Sequence, residues 1–197
     1  MKKNLEYKII DDFLPQEEFQ KIQSYVMNDE RNNSDPTSEN HLNSQPIGWE
    51  YNSNIVSPSR PDESNNFNSS FHNVKHFYMV HMVYMNDINL LMNLSPTYYK
   101  ILPILERLNI KSLIRIKCNL YPNSETVYEH DPHQDLPFSH YSVIFSLNTC
   151  DGYTKLNDGT KVYSVANRIL LHDASISHLS TTTSDTTARF NINFNYF

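Results

Sequence analysis

The chain reads as a mainly β fold, a sandwich or barrel with helices from its N-terminal part packed on one sheet. Three observations carry this. From Lys111 onward, short strand-like segments recur with turn signals between them, the pattern of an antiparallel sandwich or barrel. Two of those segments, 113–121 and 188–196, alternate between polar and apolar residues, the period of a strand with two different faces. Helical periodicity is confined to the first 110 residues. With 197 residues the chain is the size of one ordinary domain: 1–110 as helical support with a variable loop at 29–73, and 111–197 as the β core.

Taken in order, Tyr7 to Phe13 is a short extended lead-in. Leu14-Pro15-Gln16-Glu17-Glu18 opens a helix, because Pro is tolerated in a first turn and acids favour the positive end of the helix dipole. Phe19, Ile22 and Val26 give that helix one apolar stripe. Asp29 to Asn73 is polar and rich in Asn, Ser, Asp and Pro. A stretch this long without periodicity is a functional loop or lid, or a partly disordered insertion, with Trp49, Tyr51 and Phe71 as its aromatic contacts if it closes. His76 to Met85 returns to strand character. Ser95-Pro96 supplies an N-cap and first-turn proline for a second helix faced by Ile101, Ile104, Leu105 and Leu108, which Pro103 kinks or shortens. Strands then follow at Leu113–Tyr121, Tyr141–Asn148, Tyr153–Leu156, Thr160–Val165, Arg168–Asp173 and Ala188–Tyr196, with Asp151-Gly152 and Asp158-Gly159 as turn dipeptides. Gly occurs only at 48, 152 and 159, and the abundant Asn is suited to the left-handed positions Gly would otherwise fill.

The formal net charge is −6 and no dense Lys/Arg cluster occurs, so no nucleic-acid partner is expected. No apolar stretch reaches transmembrane length, and Met1 to Asp12 lacks the apolar run of a signal peptide. Cys118 lies in an apolar strand pattern and reads as a small buried hydrophobe rather than half of a disulfide. A reducing, cytoplasmic setting away from membranes fits these features. No sequence pattern speaks to oligomeric state.

Chemistry concentrates at His133-Gln134-Asp135, followed by His178 and then, eleven residues later, Arg189. Two imidazoles and one carboxylate are the ligand set of a facial triad, which leaves open metal positions and points to non-haem Fe(II) oxygen chemistry. A strand carries side chains i and i+2 on one face, so His133 and Asp135 can share a metal, with His178 supplied by another strand. Arg189 can clamp a carboxylate through paired hydrogen bonds, and Arg168 is its rival. On the last strand Arg189, Asn191, Asn193 and Asn195 share one face; on 113–121 Arg115, Lys117, Asn119 and Tyr121 do. These faces either meet solvent or line a jelly-roll cavity for a small anion, and alternation alone does not choose. Of the nine histidines, His130 reads as an outer-loop residue or a less favoured ligand, and His140 and His172 as hydrogen-bond partners of the ligands. His72, His76 and His81 read as structural or surface residues, and His41 as exposed.

The set His133-x-Asp135, His178 and Arg189 resembles the 2-oxoglutarate- and Fe(II)-dependent dioxygenases over about residues 111–197, and more loosely over the N-terminal helices. It is most similar to the prolyl-hydroxylase-like branch, in the short forms of phages and marine bacteria. The order Ser142, Leu147-Asn148, Asp151-Gly152, Asp158-Gly159, Asn167-Arg168, His178, Arg189-Phe190-Asn191 resembles those forms, as does Asp12-Phe13-Leu14-Pro15 before a helix. The resemblance implies a double-stranded β-helix, a cupin-like jelly roll. It implies Fe(II) on His133, Asp135 and His178, with 2-oxoglutarate and O2 as co-substrates and room for ascorbate. The distal carboxylate of 2-oxoglutarate would sit on Arg189, helped by Tyr121, Ser146 and Asn191. Hydroxylation of a peptidyl residue such as proline, or of a small molecule, would release succinate and CO2. The sequence departs from the family at Asn191, where Ser or Thr is usual, at His172, where an aromatic is usual, and in a longer Tyr121–His133 spacing. Two other classes compete: a zinc-dependent cupin-like hydrolase, and a jelly-roll binding module without catalysis. Helical His-Glu spacing is absent, and Arg189 has no task in the first; the complete triad argues against the second.

Overall fold

Antiparallel pairing of the alternating segments builds two facing sheets. The computed structural model describes residues 7–27, 47–52, 77–86 and 94–197. In chain order the elements are β1 (Lys8–Ile10), α1 (Gln16–Met27), β2 (Glu50–Asn52), β3 (Tyr78–Met85), α2 (Thr97–Lys100), α3 (Leu102–Leu108), β4 (Leu113–Pro122), β5 (Tyr141–Ser146), β6 (Tyr153–Leu156), β7 (Lys161–Tyr163), β8 (Arg168–Asp173), β9 (His178–Ser180) and β10 (Ala188–Tyr196). The large sheet runs β1-β8-β5-β10-β4-β3-β2 and the small one β7-β6-β9. Most of the loop or lid expected at 29–73 lies outside the described residues, as do Phe71, His41, His72 and His76.

One face of the large sheet carries the main core. Ile116 and Cys118 of β4, Val143 and Phe145 of β5, Ile169 of β8, and Ile192 and Phe194 of β10 pack against Phe19, Ile22 and Val26 of α1 and Ile104 and Leu105 of α3. Phe145 meets the edges of Phe13 and Phe19, with ring centroids 6.2 and 5.9 Å apart. Edge contacts of this kind add about 0.5–1.5 kcal/mol each beyond the area they bury. Truncating Phe145 to Ala would cost about 3–5 kcal/mol. The opposite face looks toward the small sheet, to which Ile144 and Leu170 connect it through Val162 and Leu156.

The second helix divides where proline dictates. Pro103 cannot supply the N–H that a continuous helix needs, and the chain breaks at Ile101 between α2 and α3. Pro96, rather than Ser95, is the N-cap of α2, and Ser95 Oγ accepts from Thr97 N at 3.2 Å. Pro15 falls just ahead of α1, its carbonyl accepting from Phe19 N at 3.0 Å. Asparagine does take left-handed positions. Asn109 ends α3 at φ 53°, and Asn167 at φ 64° uses its amide to clamp both backbone groups of Leu14. Cys118 and Cys150 are both buried free thiols, and no described helix is long and apolar enough to cross a membrane.

Candidate metal centre and ligand cavity

The strand expected from the sequence at His133 and Asp135 is not formed; they occupy a loop that docks on β9 through an isolated bridge. His133 N donates to His178 O at 2.8 Å and His178 N to His133 O at 2.9 Å, while Asp135 N reaches Ala174 O at 3.2 Å. This single bridge preserves the i, i+2 geometry that the spacing requires and sets His178 directly across from His133. One ligand atom from each of His133, Asp135 and His178 lies within 4.8 Å of the others, close enough to share one ion. Each imidazole is oriented by its own chain: Nδ1 of His133 donates to Asp131 O at 3.3 Å, and Nδ1 of His178 to Ile176 O at 3.0 Å. A carbonyl only accepts, so Nδ1 carries the proton and Nε2 keeps the lone pair that a metal takes. Burial, then the neighbouring His178, pulls His133 down to about 4, so it is neutral near pH 7.

Asp135 is held at both oxygens. Arg115 donates to Oδ1 at 3.2 Å and Asn195 Nδ2 to Oδ2 at 2.9 Å, while Arg115 also bonds Asn195 Oδ1 at 2.8 Å. Burial opposes ionisation of Asp135, but Lys117 and Arg115 outweigh it and keep the carboxyl well below its ordinary range. The same Asn195 amide lies 3.2 Å from His140 Nε2. His140 therefore supports the site one step back from Asp135, and His172 packs its ring edge-on to His178 at 4.7 Å. Burial and His178 hold His172 at about 4. His130 is not an outer-loop residue: it is buried, its ring lies tilted against Tyr121 at 5.6 Å, and it bonds Ser180 Oγ through Nδ1 at 3.1 Å. His81 is structural, with its ring bonded to Gly48 O, Ser95 Oγ and Thr97 Oγ1.

Between the sheets lies a small cavity that opens toward solvent. Its walls include the three ligand residues, Tyr121 and Asn191 from the expected set, and Lys117, Asn119 and Asn193 from the polar faces of β4 and β10. Those faces are therefore interior: Arg189, Asn191, Asn193 and Asn195 are each at most 5% exposed. Ser146 is buried opposite Asn191 in the strand register but does not line the cavity.

Arg189 stands across from Tyr121 in the register, its guanidinium carbon 5.5 Å from that ring. It does not itself line the cavity. Its NH1 donates to Tyr153 O at 2.7 Å and Thr181 O at 3.3 Å, and its NH2 to Thr154 Oγ1 at 3.0 Å; Nε has no acceptor among the described residues. It forms no ion pair with a described carboxylate, and burial lowers its pKa. Arg168, the rival clamp, is committed elsewhere, with NH2 on Asp11 Oδ2 at 2.9 Å, tying β8 to the lead-in. Gly152 matters for close approach rather than as a turn residue: a Cβ there would stand 2.7 Å from Thr182 O and 2.8 Å from Arg189 Cδ. Sequence reasoning gave Arg115, Lys117 and Asn195 no individual role, placing them only on faces that either meet solvent or line a cavity, and it read Gly152 as a turn residue. Alternation had put the first two on the face of Tyr121, which was the available signal.

No family model matches the chain, and no curated protein matches it. Solved structures do. A 2OG-Fe(II) oxygenase family oxidoreductase from Burkholderia pseudomallei superposes with a TM-score of 0.62 at 11% identity, covering 96% of this chain and 84% of that one. A prolyl hydroxylase from Trichoplax adhaerens, solved with a hypoxia inducible factor peptide fragment, gives 0.58 at 15% identity over 97% and 83%. A Pseudomonas putida prolyl-4-hydroxylase gives 0.52 at 12% identity over 96% and 91%. The chain thus has the jelly-roll fold seen in 2OG-Fe(II) oxygenases, as the sequence resemblance implies.

Proposed function

We propose that this protein is a non-haem Fe(II)- and 2-oxoglutarate-dependent dioxygenase that hydroxylates a peptidyl or small-molecule substrate, releasing succinate and CO2. The observation that carries the reading is the convergence of His133, Asp135 and His178 at a cavity between the two sheets. Two imidazoles and one carboxylate fit a divalent iron, and the bound iron would supply the O2 chemistry. The chain's own part is orientation. Asp131 and Ile176 carbonyls aim the two imidazoles, and Arg115 and Asn195 fix the carboxylate. Arg189 would receive the distal carboxylate of 2-oxoglutarate, beside Tyr121 and Asn191. The support is a fully buried guanidinium with no described carboxylate partner, a costly arrangement that an anionic ligand relieves. A hydrolase reading is weaker, since among the described cavity-lining residues Asp135 is the only acid and leaves no second carboxylate as a base.

The test is an anaerobic titration of the Fe(II)-loaded protein with 2-oxoglutarate, followed by the visible charge-transfer band of the chelate. The band should form in the wild type and vanish in Asp135→Ala. Its absence from folded wild-type protein sinks the reading.

A further inference from the structure

Beyond the field by which it favours the Asp135 carboxylate, Lys117 is the one charged cavity residue that this reading leaves without a ligand to hold. It lines the cavity from β4, opposite Asn193 on β10. Its Nζ stands 5.7 Å from the centre of the Tyr78 ring, and among the described residues it makes no hydrogen bond or ion pair. Beside it the wall has the complementary deficiency. Asn119 donates its amide to Asn191 Oδ1 at 2.8 Å, and Asn193 donates its amide to Ser142 Oγ at 3.0 Å. The oxygens of both Asn119 and Asn193 are buried and accept nothing among the described residues. A lone cation and two lone acceptors on one wall carry a cost that a ligand of matching chemistry removes.

Position separates this group from Arg189. Lys117 follows Arg115, the residue that holds Asp135, along one face of β4, whereas Tyr121 lies four residues further along that strand, with Arg189 opposite it on β10, a backbone distance of roughly 13 Å. The interior therefore carries Lys117 in the cavity wall and Arg189 behind the Tyr121 ring, in addition to the Arg115–Asp135 pair. A co-substrate reaching from the metal toward Arg189 leaves the Lys117 wall free.

We propose that Lys117, Asn119 and Asn193 form a subsite for a small carboxylic acid bearing a neighbouring N–H or O–H donor, the chemistry of a free amino or hydroxy acid. Lys117 binds the carboxylate and the two amide oxygens take the donor. That this acid is the primary substrate rests on the dioxygenase reading; the binding itself does not.

The experiment is isothermal titration of the full chain loaded with Mn(II). The titrants are 2-oxoglutarate, then the free L-amino acids, glycolate, lactate and malate, then the primary amide of each acid that binds. At least one acid should bind, and its amide about tenfold to hundredfold more weakly, the loss of one charge-assisted hydrogen bond. Lys117→Met should weaken the acid by the same factor and 2-oxoglutarate by less than about threefold. That retained 2-oxoglutarate binding also shows that the variant is folded. Equal binding of acid and amide, or binding of none of the acids, overturns the proposal. A loss of 2-oxoglutarate affinity in Lys117→Met equal to that in Arg189→Met also overturns it, because Lys117 would then serve the co-substrate. If wild-type protein binds no 2-oxoglutarate but still binds an acid through Lys117, the subsite stands and the dioxygenase reading fails.

Discussion

Gly152→Ala is expected to damage the protein well beyond what its small size suggests. The added Cβ would stand 2.7 Å from Thr182 O, where ordinary contact begins at 3.4 Å, so the backbone would have to part by several tenths of an ångström. Thr182 cannot yield cheaply, because its N–H is tied to Tyr128 O and its hydroxyl accepts from Tyr128 N. The second obstacle, Arg189 Cδ at 2.8 Å, belongs to a side chain fixed by three hydrogen bonds to Tyr153 O, Thr181 O and Thr154 Oγ1. Overpacking of this kind costs about 1–3 kcal/mol, and each bond from the guanidinium that breaks adds about 1.5 kcal/mol or more. A total of about 2–4 kcal/mol is expected in urea unfolding. Gly48→Ala is the control: nothing lies within 4 Å of a Cβ there, so its effect should stay within about 0.5 kcal/mol. Because part of the clash is with Arg189, Gly152→Ala and Arg189→Ala should be non-additive, the double variant being more stable than the sum of the singles. A Gly152→Ala variant within about 0.5 kcal/mol of wild type would refute the packing argument.

Three further outcomes test the site and its surroundings. Asn195→Leu keeps the branching of the side chain but removes the bond to Asp135 Oδ2, and should weaken Mn(II) binding about 10- to 100-fold by titration; unchanged affinity would mean that Asp135 needs no such support. Arg189→Met should weaken 2-oxoglutarate binding by at least about tenfold while metal still binds, whereas Arg168→Met, which loses an exposed pairing with Asp11 and a bond to Tyr163 O, should not; the reverse result would reassign the clamp. Asp151 provides a pH test. Burial alone would raise its carboxyl, but bonds from Ser184 and Thr183 outweigh that and hold it at about 2, below its ordinary 3.8. A folded pKa below the unfolded one gives stability that is complete above about pH 4 and lost as pH falls toward about 2. Solvent at this half-buried turn reduces the full value to about 1 kcal/mol. The stability gap between wild type and Asp151→Asn should narrow by that amount on acidification, and a gap independent of pH would count against it.

What the sequence revealed and what it hid divide along a physical line. The convergence of His133, Asp135 and His178 was legible because residue type and local spacing can be read together. The strand limits at Tyr153–Leu156, Arg168–Asp173 and Ala188–Tyr196 were legible because periodicity and flanking turn residues are local too. Arg115 and Asn195 were not, since their meeting at Asp135 depends on β10 pairing with β4 in one register, which no local pattern encodes. Gly152 was read as a turn residue for the same reason: its need to lack a side chain arises from Arg189 passing close by from another strand.

The alternating faces make the sharpest case. Arg189-x-Asn191-x-Asn193-x-Asn195 has the same pattern whether the polar side meets water or a second sheet. What decides is closure. The small sheet covers that face, and the Asn side chains then have to satisfy one another, as Asn119 with Asn191 and Asn193 with Ser142 do. A solvated face would not need such pairings, and it would not leave Asn119 Oδ1 and Asn193 Oδ1 buried without donors. The residues that alternation left undecided are thus the ones whose unmet hydrogen-bonding capacity points to a ligand.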